Sequence, residues 1–248
     1  MAAMVSRPTL IVSDAHLGAV PSENERAFGA FLERVPALAG ELLINGDLFD
    51  FWFEYRTVIV SRHFQTLRRL AEIVDAGVRV RLVGGNHDAW GGEFLRDQIG
   101  VELLEGPLVT EIGGRRAYVA HGDGLGGGDW GYRVLKRVTR SGAGRSLFRL
   151  VHPDLGTRVA RLVSATSDKQ AAGPGDEDAR ADRLSRHADE LLRSDPSLQL
   201  VVFGHAHRPE LREVEPGRHY LNAGDWIHHC TYALVDPESV RLLTWPND

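Results

Sequence analysis

Cysteine is nearly missing from this chain, with Cys230 the single one among 248 residues. An internal disulfide is thereby excluded, and the composition is compatible with a reducing compartment. Long apolar runs are missing too. No stretch approaches the roughly 18 consecutive apolar residues that a membrane-spanning helix needs, and Met1 to Pro8 lacks the apolar core of a secretory signal. The expectation is a soluble, cytoplasmic protein. Positive charge is also in deficit: 29 Lys and Arg face 34 Asp and Glu, for a net charge of -5, which argues against a nucleic-acid partner. What the chain has is bulk, since 248 residues of which 43% are hydrophobic can bury a full core. A single domain over 1–248 is favoured, because the polar blocks described below run from Asp14 to His207 and must converge.

The charge deficit is uneven. From Trp130 to Val163, eight basic residues (Arg133, Lys136, Arg137, Arg140, Arg145, Arg149, Arg158, Arg161) face one acid, Asp154. Such a cationic island predicts an anionic partner.

Apolar segments of strand length recur, each ending at a polar block. Thr9–Val12 leads into Asp14, Leu42–Ile44 into Asp47, Val78–Val83 into Asn86, Ala117–Val119 into His121 and Leu200–Phe203 into His205. Continuous runs among them predict strands buried on both faces. Helical patterns lie between: Ser22 to Leu38, with Phe28, Phe31, Leu32 and Val35 on one side, and Ser61 to Ala76, with Ser22 and Ser61 as caps and Gly77 as a stop. After His121 the alternation ends in a glycine-rich loop and amphipathic helical stretches, which read as an insertion or cap within about 129–194. It includes a polar loop over Ala171–Arg180 and a helix from about Ala181 to Arg193. Past His207, four short segments (Glu210–Val214, His219–Asn222, Cys230–Val235, Val240–Leu243) read as a β-meander closing a second sheet.

The blocks themselves are Asp14-Ala15-His16, Gly46-Asp47, Gly85-Asn86-His87-Asp88, His121-Gly122-Asp123 and Gly204-His205-Ala206-His207. Carboxylate, imidazole and amide donors in this mix suit divalent cations, and the set is large enough for two. Within Asp14-Ala15-His16 and His205-Ala206-His207 the polar side chains are two residues apart, so an extended backbone would aim each pair the same way. The glycines permit sharp strand exits and close backbone approach.

The ordered blocks resemble the calcineurin-like metallophosphoesterase superfamily over roughly Leu10 to Trp226. The resemblance implies an α/β fold, a four-layer αββα sandwich of two mixed sheets flanked by helices. It also implies two divalent ions, manganese foremost and iron or zinc as alternatives. By motif position, Asp14, His16 and His207 would hold one ion, Asn86, His121 and His205 the other, and Asp47 would bridge them. His87 would reach the phosphoryl or leaving oxygen as general acid or electrostatic clamp. Asp88, and less strongly Asp123, would orient a histidine from behind.

Finer motifs resemble UDP-2,3-diacylglucosamine diphosphatases, peripheral membrane enzymes that split a pyrophosphate into UMP and an acylated sugar 1-phosphate. They are Ser13-Asp14-Ala15-His16-Leu17-Gly18, Gly46 to Trp52, His121 to Gly124 with Asp129 and Tyr132-Arg133, and Gly204 to Pro209. The substrate would be such a nucleotide-sugar lipid, with Arg158, Arg161, Ser164, Ser167 and Lys169 as substrate contacts. This chain departs in carrying His87 where the best-known branch has arginine. Histidine suits equally an enzyme expelling an alkoxide, so a phosphodiesterase or nucleotide phosphatase acting on a soluble substrate is the alternative reading. Val134, Leu135, Val138, Leu147, Phe148, Leu150 and Val151 lie among the arginines, as in a helix at an anionic membrane surface or in a packed cap. His63, His152, His187 and His219 are expected in packing or surface roles, and Cys230 in packing. His228 and His229 follow the turn Gly224-Asp225-Trp226, where they could meet substrate.

Overall fold

A computed structural model describes residues 7–88, 92–125, 146–156 and 176–246. Among the described residues, eleven strands and three long helices make the frame. In chain order these are β1 (Thr9–Val12), α1 (Ser22–Leu38), β2 (Glu41–Asn45), α2 (Phe64–Asp75, entered through a 3₁₀ turn at Ser61–His63), β3 (Arg79–Val83), and a π-helical segment (Phe94–Ile99). β4 (Glu102–Leu104), β5 (Leu108–Ile112), β6 (Arg115–Val119), α3 (Asp176–Ser194), β7 (Leu200–Phe203), β8 (Glu210–Glu215), β9 (Arg218–Asn222), β10 (Thr231–Val235) and β11 (Val240–Thr244) follow.

The strands form two mixed sheets, ordered β11-β10-β1-β2-β3-β4 and β5-β6-β7-β9-β8. β1 to β4 run parallel, and so do β6, β7 and β9, while β10, β11, β5 and β8 pair antiparallel at the margins. The period of two along each strand distributes the core over three layers. Leu10 and Val12 of β1, with Leu42 and Ile44 of β2, pack under Phe28, Phe31, Leu32, Leu67, Leu70 and Ile73 of α1 and α2. Ile11, Leu43 and Val83 face the opposite way and meet Ala117, Val119, Leu200 and Val202 of the second sheet. On that sheet's outer face, Val201 and Phe203 pack on Ala181, Leu184, Ala188 and Leu192 of α3. The result is helix, sheet, sheet, helix, the four-layer α/β sandwich expected. It explains why β1, β2 and β7 read as continuous apolar runs: each is covered on both faces.

Several local expectations need correction. Ser22 and Ser61 are not caps; Pro21 and Val60 precede their helices and no side chain caps either start. Gly77 does terminate α2, at φ +82°. β8 and β9 join the second sheet, but β10 and β11 return to the first, where β10 pairs with β1. α3 begins at Asp176, so residues 176–180 are helical and the helix is the outer layer of the second sheet. Strands β4 and β5 were not anticipated. Most of the remaining insertion, including 126–145 and 157–175, lies outside the described residues.

Candidate metal centre

All five polar blocks leave the carboxyl ends of parallel strands: β1, β2 and β3 in one sheet, β6 and β7 in the other. Backbone bonds tie their exits together. Asp14 N donates to Gly46 O at 3.1 Å, His16 N to Asp47 O at 2.9 Å, and Gly204 N to His121 O at 2.8 Å. The two sheets are then stitched at the site by His205 N, which donates to Asp14 Oδ2 at 2.9 Å.

The backbone here is not extended. Asp14, His16, Asp47, His205 and His207 all have positive φ, between 43° and 62°. That left-handed region costs a non-glycine residue free energy, although Asp and His enter it more readily than β-branched residues do. The turns leave His16 beside Asp14 but send His205 and His207 to different groups. One group is Asp14, His16 and His207, and another is Asp47, His121 and His205; a third, His16, Asp47 and His87, overlaps both. Gly85 and Gly204 make this crowding possible. A Cβ on Gly85 would stand 2.6 Å from Asp47 N, and one on Gly204 would stand 2.8 Å from Asp14 Oδ2.

The atoms at the centre are close. His207 Nε2 lies 3.4 Å from Asp14 Oδ1 and 3.3 Å from His16 Nε2; His16 Nε2 is 3.9 Å from Asp47 Oδ2. On the other side, His121 Nε2 is 3.0 Å from Asp47 Oδ2, while its Nδ1 donates to Asn45 O at 2.8 Å. That bond fixes the tautomer with Nε2 turned to the cluster, the arrangement a metal-binding imidazole uses. Asp14 Oδ1 is buried and has no hydrogen-bond partner among the described residues. A buried carboxylate oxygen without a donor is costly, and a cation among these imidazoles would satisfy it. The donor set therefore fits divalent ions on its own geometry.

The electrostatics agree. Burial alone would raise the Asp14 and Asp47 carboxyls, but the His121 charge and the other imidazoles around them hold both well below the usual carboxylate range. Burial opposes charge on His121, yet Asp47 and Asp14 overcome it and lift its pKa well above the ordinary value. His205 goes the other way, pushed to about 3 by burial and by the adjacent His121. At Asp14, Asp47, His121 and His205 burial and neighbouring charge act strongly on the proton, as expected where cations would compete with protons for the same lone pairs.

Among the other expected site residues, Asp88 is buried, and the hydrogen bonds found for it among the described residues come from backbone amides rather than a histidine. Its carboxylate accepts from the backbone N–H of Gly85 (2.9 Å), Asp47 (3.2 Å) and Leu48 (2.7 Å), so it fixes the loops that carry Asp47 and His87. Burial and the Asp47 charge raise its pKa to about 6. His87 is anchored twice: its N–H donates to Asp47 Oδ1 at 2.9 Å and its Nδ1 to Asp50 O at 2.8 Å. Its ring lies edge-on to His16, with centroids 4.8 Å apart. Burial lowers its pKa, but Asp47 and the Asp50 carbonyl outweigh that and leave it raised. Asn86 is exposed and Asp123 buried. Arg158, Arg161, Ser164, Ser167 and Lys169 lie outside the described residues.

Two contributors escaped sequence reading. Asp225, fully buried, accepts from the N–H of Ile227, His228 and His229 and from His229 Nδ1, and its charge helps raise His207. Trp226 N donates to Asp14 O, which ties this turn to the site. Glu54, also buried, accepts from Gly92, Phe94 and Leu95 N and so anchors the chain that follows Asp88. The signal for Asp225 was present in Gly224-Asp225-Trp226, a polar turn directly after a strand.

Among proteins of known type, one from Porphyromonas gingivalis named UDP-2,3-diacylglucosamine hydrolase is 31% identical, the alignment covering 93% of this chain and 94% of the other. One of the same name from Ralstonia nicotianae is 31% identical over 90% of this chain and 85% of its own length. Among solved structures, the Escherichia coli phosphoesterase YfcE aligns with a TM-score of 0.43 at 16% identity, over 96% of this chain and 92% of that one. The family model for calcineurin-like phosphoesterases matches residues 7–209, a span that takes in all five polar blocks and the strands β1 to β7. The chain therefore belongs to the calcineurin-like phosphoesterase family.

Proposed function

We propose that the cluster holds two divalent ions, manganese foremost, and that the protein hydrolyses the pyrophosphate of UDP-2,3-diacylglucosamine or a similar nucleotide-sugar lipid to UMP and an acylated sugar 1-phosphate. The observation that carries the two-ion reading is the sharing of Asp47 between groups of donors on either side of it. Asp14, His16 and His207 would hold one ion and Asn86, His121 and His205 the other. The substrate follows from the two relatives named for it, each aligned with nine-tenths or more of this chain. When bound, the ions supply Lewis acidity at the phosphate oxygens and lower the pKa of water towards roughly 7.

This chain's residues do the rest. With both carboxylates ionised against two divalent charges, the centre keeps about +2 for a phosphate group. Asp88 holds the Asp47 and Gly85 loops in register through their backbone amides. His87, its Nδ1 committed to Asp50 O, can in its protonated form donate a hydrogen bond or a proton to the departing oxygen. Near this site, Leu147, Leu150 and Leu155 are exposed while Phe148 packs against Phe51 and Phe53. Apolar groups of that kind suit an acyl chain or the surface of an anionic membrane.

His87 also favours a second reading, because a proton donor matters most when an alkoxide leaves, as in a simple phosphodiester. Manganese-loaded protein assayed against UDP-2,3-diacylglucosamine and a panel of soluble phosphodiesters and nucleotides separates the two. Release of UMP from the lipid at a kcat/KM well above the panel is expected. Preference for the soluble panel would replace the lipid assignment with the second reading.

A further inference from the structure

Arg180, in the second turn of α3, stands apart from the arginines around it. Arg208 pairs with Asp178, Asp182 and Glu210, and Arg212 pairs with Asp189 and Glu210. These pairs occupy acids along α3 and the neighbouring strand β8. Arg180 is half-buried, and among the described residues it has no carboxylate partner. Its Nη1 instead reaches the backbone carbonyl of His205, at 3.5 Å.

The helix cannot easily carry this cation elsewhere. Ala181, Leu184 and Ala188 are buried against the second sheet, and Leu184 Cδ1 lies 3.2 Å from where a Cβ on Gly122 would be. The helix is thus seated on the loops that present His121 and His205, with Arg180 one turn before that contact. A half-buried guanidinium that has no carboxylate partner among the described residues, beside a centre that would itself be positive, gains from a bound anion. Its planar fork suits phosphate oxygens better than a point charge does.

We infer that Arg180 is an anion-contact residue of this site, binding a non-bridging phosphate oxygen of the substrate on the His205 side. The inference rests on the reading of the cluster as a two-metal phosphate site. It adds a determinant of phosphate affinity, supplied by the outer helix of the sandwich, to the ligand set.

The test is calorimetric titration of the manganese-loaded full chain with inorganic phosphate, for the wild type, Arg180→Gln, Arg180→Lys and the control Arg212→Gln. Metal content is measured on each sample. Loss of one charge-assisted hydrogen bond predicts that Arg180→Gln weakens phosphate binding about tenfold or more. Arg180→Lys should fall between, and Arg212→Gln and manganese content should stay at wild-type values. With a chromogenic phosphodiester, Arg180→Gln should raise KM far more than it lowers kcat. Unchanged phosphate affinity in Arg180→Gln, or an equal loss in Arg212→Gln, overturns the assignment. Lost manganese in Arg180→Gln also overturns it, since the arginine would then be supporting His205 rather than the anion. If Arg180→Gln does not fold, Arg180→Lys decides: affinity equal to wild type would remove the fork from the argument. Absence of phosphate binding by the loaded wild type would sink the two-metal reading itself, a result distinguishable from failure of Arg180 alone.

Discussion

Replacing Gly85 with alanine tests the claim that the site depends on backbone packing as much as on ligands. The added Cβ would meet Asp47 N at 2.6 Å and Asp47 Cγ at 2.7 Å, with Oδ1 nearer still. Ordinary contact begins near 3.4 Å, so Asp47 or the Gly85 loop must shift by up to about 1 Å. Neither is loose. Asp47 is pinned by His16 N on its carbonyl and by Asp88 on its N–H, and Gly85 N is held by the same Asp88. Overpacking of this kind costs about 1–3 kcal/mol, equivalent in a domain of this size to roughly 2–10 °C in Tm. A displacement of about 1 Å at a reacting centre costs on the order of 100-fold in rate. The expected outcome is a folded protein with lower Tm, impaired manganese retention and kcat/KM on a chromogenic phosphodiester reduced about 100-fold. Gly29→Ala is the matched control: Gly29 lies within α1 with nothing within 4 Å of its would-be Cβ, so alanine should stabilise by about 0.5–1 kcal/mol at unchanged activity. Wild-type metal content and kcat/KM in Gly85→Ala would refute the packing argument outright.

Asp47→Ala should abolish both manganese binding and hydrolysis, because it removes the carboxylate common to two donor groups; full activity with metals present, measured by elemental analysis, would remove the two-ion scheme. His63 gives a prediction about acid stability away from the centre. It is buried against Phe49, and burial followed by the Arg62 charge lowers its pKa to about 3, against a weaker lift from the Phe51 backbone. The folded value lies below the unfolded value near 6.5, so the stabilisation is complete above pH 6.5 and declines as pH falls through the interval towards 3. Between pH 6.5 and 5 that amounts to about 2 kcal/mol. His63→Gln should lose correspondingly less stability over that range in urea unfolding, and pH profiles of equal slope for the two proteins would contradict it.

Legibility in the sequence followed physical scale. α1 was bounded as found, Ser22–Leu38, since four large apolar residues at helical spacing and a flanking Pro21 leave few alternatives. Of the strands ending in polar blocks, β1, β2 and β7 stand out as apolar runs because each is covered on both faces. β4 and β5 do not: one is three residues long, and the other follows a Gly-Pro turn and alternates half-buried with exposed positions at the sandwich margin. The sheet to which β10 belongs could not be read either. Tyr232 and Leu234 face the helices and Ala233 and Val235 face the second sheet, an alternation any doubly covered strand would show; the pairing with β1 is set more than 200 residues away. At α3 the polar run Glu177-Asp178 read as loop, although acids in a first turn favour a helix N-terminus.

What the blocks concealed was the division of labour within each carboxylate. Asp14 gives Oδ2 to His205 N and leaves Oδ1 buried towards His207 and His16, without a donor among the described residues. Asp47 gives Oδ1 to His87 N and turns Oδ2 to His121 and His16. In both, one oxygen is fixed by the backbone N–H of another block's histidine, so a residue of one block sets the aim of the carboxylate in another. Asparagine at either position would be forced to orient the same way, because its carbonyl must accept that N–H and its amide NH2 cannot. The NH2 would then project into the cluster, where a lone pair is required. The blocks are thus coupled through their main chains before any ion binds, and that coupling explains why five residues of the cluster hold left-handed backbone, at a cost on the order of 1–3 kcal/mol each, instead of the extended chain their spacing suggested.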